Sequence, residues 1–482
     1  MTPNPVVLDH ANRLLDLHPA LANIQGEAAD RTRAVIEAAF ADSQIQKEYA
    51  GAAIRHTAMC GEVARLLLKQ IGDSPDQIGL LSIGDIDLPP EAREVALQIL
   101  NRAHEYHMQF VRENGLGYDL TSQGQPEARR SMIDYFDRHY GFSDVPGLLE
   151  KLVKNSTIVG GGMRGLDDIA TAMVRTAALE NRTHRFIHPD NSFGTWHSIV
   201  ELRSHEGEGD RKGKGVAKIH KIPTAQKDQL HLTADQVNEF YNDHPATEVS
   251  NDSWCITPVG NPSGTRMQPA QLTQVCQAIV AKNPDAKIVL DCTYVRTLPA
   301  ETARELMSGV INDPAVLDRI IFVDSFSKTH GFAGVRIGTY FSANPEVYGP
   351  VQTVNMTLSA GNGSDKNGTV MALTNPTPEQ DRVISELHQF WARERVGLHH
   401  YLVGSGRFPH LFDKDQSHIV PEQLQEPLGL YVLIKLKPGV DGKQVLLETA
   451  CLGVETQMGS GRYMRFAVGK IKTPTYAKYL DN

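Results

Sequence analysis

The chain has 482 residues, 41% of them hydrophobic, enough for a large α/β domain with a smaller partner and too many for wholesale disorder. Its 48 Lys and Arg stand against 57 Asp and Glu, a formal net charge of −9, which argues against a nucleic-acid surface because phosphate backbones need a basic footprint. Five scattered cysteines (Cys60, Cys255, Cys276, Cys292 and Cys451) share no C-x-x-C spacing, so they read as reduced thiols of a cytoplasmic protein, with no zinc or other metal expected.

Met1–Asp9 lacks the basic-then-apolar pattern of an export leader, and no uncharged apolar stretch nears the ~20 residues of a membrane span. Residues 1–78 read as a helical extension, with Met59, Val63, Leu66 and Leu67 at helical spacing and Gly72-Asp73-Ser74-Pro75 as the stop. The extension is acidic, with ten Asp and Glu against seven Lys and Arg. From about 155 to 340, short apolar runs alternate with helical stretches. The predicted strands are Ser156–Val159, Arg185–His188, Trp254–Thr257, Lys287–Leu290 and Ile320–Val323. Helices are predicted to start near Arg164, Thr233, Pro269, Ala300 and Asp313. That alternation predicts an α/β fold whose large domain is a mostly parallel sheet flanked by helices. Ser204–Lys214 is polar and Gly-rich and reads as a solvated loop or a lid. Later, Leu430–Lys435 and Arg465–Val468 read as strands, with helices at 377–402 and 442–451, a smaller α+β C-terminal domain. The expected division is 1–78, 79–350 and 351–482.

Ligands of such sheets bind beyond the carboxyl ends of the strands, so the residues just after each predicted strand carry the functional reading. After Ile320–Val323 comes Asp324-Ser325-Phe326-Ser327-Lys328-Thr329-His330-Gly331-Phe332-Ala333-Gly334-Val335-Arg336-Ile337-Gly338. Hydroxyls and a guanidinium suit a phosphate dianion, and a Lys among them can form an imine with an aldehyde. After Trp254–Thr257 comes Asn261-Pro262-Ser263-Gly264, and after Lys287–Leu290 comes Asp291-Cys292-Thr293-Tyr294. Each alone is also an ordinary turn or helix cap. Gly160-Gly161-Gly162-Met163-Arg164 opens a helix, a place where free N–H groups meet anions.

The string S-x-S-K-x-x-G-x-x-G-x-R-x-G resembles the lysine motif of the class I and II aminotransferase family, of the aspartate aminotransferase fold (pyridoxal-phosphate fold type I). The resemblance covers roughly residues 80–475, and the motifs follow the family's order. It implies a pyridoxal 5'-phosphate enzyme with the cofactor held on Lys328 as a Schiff base. Asp291 would pair with the pyridine nitrogen; Asn261 and Tyr294 would reach the phenolic oxygen. Gly162, Met163, Ser325, Ser327 and Arg336 would hold the phosphate. Phe193, in Pro189-Asp190-Asn191-Ser192-Phe193-Gly194-Thr195-Trp196, would stack on the ring. Arg465, in Tyr463-Met464-Arg465-Phe466-Ala467, would take the substrate α-carboxylate, with Gly84, Asn261 and Trp196 also in the substrate set. Gly124-Gln125-Pro126-Glu127 matches a family motif preceded at five residues by a Tyr that reaches the neighbouring subunit's phosphate. Here Asp119 holds that position and Tyr118 is one residue early, so a one-residue bulge would be needed.

The resemblance implies an L-amino acid substrate, a keto acid or second small molecule, and a homodimer, with neither nucleic acid nor membrane as partner. Three reactions stay open. Transamination is the default for the fold. The first alternative is elimination, replacement or cyclisation at Cβ or Cγ, as in 1-aminocyclopropane-1-carboxylate synthase relatives, including action on a sulfonium amino acid such as S-adenosylmethionine. The second is β-decarboxylation, as in aspartate 4-decarboxylase, which shares the motif spacing and an N-terminal extension. A transcription regulator with an aminotransferase-like domain is disfavoured by the acidic extension.

Overall fold

A computed structural model describes residues 4–50, 52–115, 122–204, 217–224, 230–246, 250–359, 363–413, 421–458 and 461–480. The chain condenses into two compact units, and neither is one continuous segment. One comprises Leu88–Ala392 and Val420–Gly429; the other comprises Met1–Asp87, Arg393–Ile419 and Leu430–Asn482.

The first unit is built on a seven-stranded sheet. In chain order its strands are β1 (Ser156–Val159), β2 (Thr183–Pro189), β3 (Ala217–Ile222), β4 (Ser250–Ile256), β5 (Lys287–Asp291), β6 (Ile320–Ser325) and β7 (Gly338–Phe341). Across the sheet they run β1-β7-β6-β5-β4-β2-β3. All adjacent pairs are parallel except those made by β7, which is antiparallel to β1 and β6. β5 is buried from Ile288 to Asp291 and β6 at every position from Ile320 to Ser325, as expected of strands covered on both faces. Leu166, Ile169 and Met173 of the helix Gly162–Leu179 pack on Val289, Ile321, Val323 and Tyr340 of the sheet, forming one core cluster.

Two of the predicted helix starts, Thr233 and Asp313, coincide with capping chemistry. The Thr233 hydroxyl accepts from Gln236 N at 3.3 Å, while the Gln236 side chain accepts from Thr233 N at 3.0 Å, a reciprocal capping box. Asp313 caps Ala315 and Val316 at 3.1 and 3.3 Å. Strands β3 and β7 were not predicted. β3 is a part-exposed edge strand, and β7 is only four residues long. The Ser204–Lys214 segment lies outside the described residues apart from Ser204, the last residue of the helix Gly194–Ser204.

The second unit joins N-terminal helices to C-terminal strands. Its sheet pairs β8 (Tyr431–Lys435), β9 (Val454–Met458) and β10 (Gly461–Ala467) in the antiparallel order β9-β10-β8. A separate short parallel pair joins Gly79–Leu80 to Cys451–Leu452. The helix Ala53–Gln70 packs beside that pair at Gly61. Bidentate pairs, Arg13 to Asp42 at 2.7 Å and Arg31 to Asp73 at 2.6 Å, tie the N-terminal helices to one another and to the turn that follows them. No helix among the described residues is long and apolar enough to cross a membrane.

A Cβ at Gly61 would fall 2.5 Å from Leu80 Cδ2 and 2.7 Å from Leu452 Cδ2. Gly61→Val should therefore overpack this junction and cost about 1–3 kcal/mol. The expected outcome is a lower urea midpoint of the second unit's transition; an unchanged midpoint would mean that helix and strand pair do not pack this tightly.

Candidate active site

The carboxyl ends of β4, β5 and β6 are adjacent, with Ile256 opposite Leu290 and Asp291 opposite Val323. This register brings the segments after three predicted strands to one edge. Asp291, the last residue of β5, is buried. Its carboxylate accepts from Thr293 N at 3.2 Å and from the Thr293 hydroxyl at 2.7 Å. Burial pushes its carboxyl above the usual range, and nearby Asp324 adds to the rise. A carboxylate so placed is stabilised by a cation brought to it.

An anion cradle lies against the same group. A Cβ on Gly162 would sit 3.4 Å from Thr293 Oγ1 and 3.7 Å from Ser325 Cβ. A Cβ on Gly161 would sit 2.6 Å from Arg336 Nη2, so the guanidinium rests where that glycine leaves room. Gly161 has φ +89° and precedes the 18-residue helix Gly162–Leu179, whose first amides are free to donate. Arg336 itself adopts φ +61°, a strained value for a residue with a Cβ, and donates to Ala333 O at 2.8 Å. Gly338 begins β7 opposite Val159 and permits a close approach of backbone to backbone: a Cβ there would lie 2.6 Å from Gly161 C and 2.7 Å from Gly162 N. Met163, at the helix start, is exposed, and Ser325 and Ser327 are buried.

Lys328 stands part-buried on the single helical turn Phe326–Thr329 that follows β6. Asn261 and Tyr294 are buried in the turns after β4 and β5, and the Asn261–Pro262 peptide is cis. Phe193 is part-buried after β2, against the core cluster. Trp196 lies on the helix that follows. It is 1% exposed and packs edge-on to Phe186 at 5.8 Å within the core cluster, because the helix Gly194–Ser204 turns that face onto the sheet. Tyr118 lies outside the described residues.

Arg465 and Gly84 belong to the second unit, where they share Tyr431. The Arg465 guanidinium lies 4.8 Å from the centre of the Tyr431 ring and donates to Ser82 O at 2.7 Å. A Cβ on Gly84 would fall 1.9 Å from the Tyr431 hydroxyl oxygen.

Sequence reasoning missed the support of the Lys328 turn. Arg296 and Asp324 form a buried ion pair, Nε to Oδ2 at 2.9 Å and Nη2 to Oδ1 at 3.1 Å, completed by the Tyr140 hydroxyl on Asp324 at 2.5 Å. Arg296 also donates to Ser325 O at 3.1 Å, and its guanidinium lies 4.7 Å from the centre of the Phe326 ring. Arg296 follows the Asp291–Tyr294 motif by two residues and Asp324 precedes Ser325, but nothing local in the sequence pairs them. Thr293, which joins Asp291 to the cradle, was inside a recognised motif and not singled out.

The profile of the family described as "Aminotransferase class I and II" matches residues 76–389. The chain belongs to this family. Its members are pyridoxal 5'-phosphate enzymes, transferases or lyases, that act on amino acids and typically form dimers. A curated relative, 1-aminocyclopropane-1-carboxylate synthase 2 of Arabidopsis thaliana, is 27% identical over 142 residues, 29% of this chain and 28% of that protein's length. Among solved structures, a tetra mutant of Thermus thermophilus aspartate aminotransferase aligns with a TM-score of 0.59 and 15% identity over 82% of this chain and 93% of its own. The aromatic aminotransferase of Pyrococcus horikoshii aligns with a TM-score of 0.60 and 17% identity, over 86% and 95%. The fold is thus the aminotransferase fold expected from the motif order.

The residues present fit that cofactor: the cradle at Gly161, Gly162, Ser325 and Arg336 suits its phosphate, and buried Asp291 suits a protonated ring nitrogen. Gly338→Ala should push the cradle's backbone apart, at a cost of about 1–3 kcal/mol. It should weaken pyridoxal phosphate binding in a fluorescence titration, whereas Gly334→Ala, with nothing within 4 Å of its Cβ, should not. Equal affinities in the two variants would count against Gly338 as the spacer of the cradle.

Proposed function

We propose that the protein is an aminotransferase acting on an L-amino acid, with Lys328 as the covalent anchor of pyridoxal phosphate and the carrier of the transferred proton. The observation that carries this reading is the continuity from the buried carboxylate of Asp291 through Thr293 to the glycine cradle, at the same sheet edge as the Lys328 turn. When bound, the cofactor supplies an electron sink that weakens the bonds at the substrate Cα. Asp291 keeps a proton on the ring nitrogen, because a buried carboxylate and a cation stabilise each other. Asn261 and Tyr294 are assigned to the phenolic oxygen, and Phe193 to the ring face. Gly162, Met163, Ser325, Ser327 and Arg336 hold the phosphate. With the cofactor bound, the Lys328 amine would be the base that takes a proton from the substrate Cα. By resemblance to the family, Arg465 takes the substrate carboxylate as a planar fork, Gly84 and Asn261 are assigned to the substrate set, and Tyr118 reaches the phosphate of a neighbouring subunit. That last assignment makes the working form a homodimer. Five free and buried cysteines accord with a cytoplasmic location.

A second reading has its own support. The partial likeness to a 1-aminocyclopropane-1-carboxylate synthase favours elimination, replacement or cyclisation at Cγ, on a sulfonium amino acid, over the remaining alternative of β-decarboxylation.

Two measurements test the reading. Borohydride should fix the cofactor on the peptide that contains Lys328, and Lys328→Ala should lose both the label and the visible absorption band; a label on another lysine refutes the anchor. In the holoenzyme, an amino acid given alone should discharge that band once, and a keto acid should restore it. Repeated turnover of one amino acid with no keto acid present would reject transamination in favour of the second reading. Asp291→Ala should slow either reaction by orders of magnitude, more than Tyr294→Phe does, in steady-state assays.

A further inference from the structure

Lys328 stands on a helical turn of four residues, Phe326–Thr329, closed at its end by His330 N donating to Phe326 O at 3.2 Å. The last carbonyls of a helix have no partner within it, and a buried carbonyl left so is costly. Thr329 is 1% exposed, so its carbonyl needs a donor from elsewhere in the chain.

That donor is His388, whose Nε2 lies 2.7 Å from Thr329 O across 59 residues of sequence. A carbonyl only accepts, so Nε2 carries the hydrogen. The ring is buried on the helix Pro378–His399 and lies on the ring of Trp391, with centroids 5.9 Å apart and planes 29° apart. Burial keeps the imidazole uncharged, its pKa lowered to about 4. His388 and the Lys328 turn lie in the same compact unit, the one that carries the seven-stranded sheet.

Two observations give this bond more than a local meaning. First, the turn is held in the same way at its other end, where Arg296 Nη2 donates to Ser325 O at 3.1 Å. Lys328 therefore sits between two carbonyls, each tied to a distant side chain. Second, packing does not fix the turn on the His388 side. A cavity of about 290 Å³ is bordered there by Tyr135, Arg296, Thr329, His330 and His388. Close packing is what ordinarily holds a buried segment in place, and a cavity interrupts it. Polar contacts remain. Besides the bond from His388, the Thr329 hydroxyl meets His330 Nδ1 at 2.9 Å, and His330 Nε2 meets the Tyr135 hydroxyl at 3.3 Å.

We propose that His388 is a positioning residue for Lys328: its Nε2–H, bound to the Thr329 carbonyl, fixes the trailing end of the turn and so sets where the lysine amine stands. A proton transfer is sensitive to such placement, because donor and acceptor must stay within hydrogen-bond reach. The inference rests on the reading of Lys328 as the cofactor's anchor, and not on which reaction Lys328 serves.

The test compares three variants of the holoenzyme. His388→Leu should keep the visible band and the borohydride label on Lys328. It should slow discharge of that band by a saturating amino acid about tenfold or more, as the loss of a buried hydrogen bond does. KM should change little, since the contacts to the substrate are elsewhere. His388→Gln, whose amide nitrogen reaches the Nε2 position, should restore the rate; His388→Asn, one bond shorter, should not. A purely structural part would lower the melting temperature of the variants and leave the discharge rate of the folded enzyme unchanged. If His388→Leu fails to fold, the Gln and Asn variants decide, being alike in polarity and different in reach. In the unsubstituted holoenzyme, nitrogen NMR of labelled histidines should show His388 as the Nε2–H tautomer, assigned by its absence from His388→Gln. A native discharge rate in His388→Leu or His388→Asn, an equal loss in His388→Gln and His388→Asn, or an Nδ1–H tautomer would each overturn the proposal while the label stays on Lys328. A label on another lysine of the unsubstituted protein would instead overturn the anchor, and this inference with it.

Discussion

Two opposite charges, Arg296 and Asp324, are almost wholly removed from water directly beneath the turn that presents Lys328. Each would cost several kcal/mol to bury alone, so each is held by the other and by neutral partners: the Tyr140 hydroxyl, the Ser325 carbonyl and the faces of Phe136 and Phe326. Burial with one partner missing typically costs 3–5 kcal/mol, which gives the geometry little freedom to relax. The pair therefore fixes the end of β6, and with it Ser325, Ser327 and Lys328. A flexible Gly-rich loop alone would not hold a lysine amine at one position; a desolvated ion pair under it does.

The legible and illegible parts of the sequence divide along the range of the interactions. Asp291, Asn261, Ser325 and Lys328 could be placed at or just past the strand ends from the sequence because β4, β5 and β6 are apolar runs with clear stops. Thr233 and Asp313 announced their helices by capping chemistry that acts over three residues. What escaped was non-local. β7 is four residues whose place is set by partners on both sides, and β3 lacks the continuous apolar run of a central strand. Nothing local in the sequence links Arg296 to Asp324; only the fold joins them. Trp196 shared a motif with Phe193, and only the orientation of its helix decided that it faces the core.

The same holds for the division of the chain. Residues 1–87 share a compact unit with segments beyond 392, although the helical periodicity of the first 70 residues gives no hint of their partner. The pairing of Gly79–Leu80 with Cys451–Leu452, and the room left by Gly61, record that union in side-chain terms. Tyr431 plays a comparable part for Arg465 and Gly84: it is an aromatic in a buried strand by sequence, and the shared neighbour of both by structure.

The antiparallel insertion of β7 between β1 and β6 has a kinetic side. Val159 meets Gly338 across about 180 residues of intervening chain, so one half of the anion cradle cannot meet the other until most of the sheet has been synthesised and threaded. The contact is of high sequence separation and its loop-closure entropy must be met before it returns any stabilisation. A nascent chain released before β7 has no assembled cradle, and exposes the edges of β1 and β6 to whatever strand is near. A ligand that seats in the cradle then acts by mass action on the completed sheet, as a clasp on its last-formed contact rather than as a template for its first.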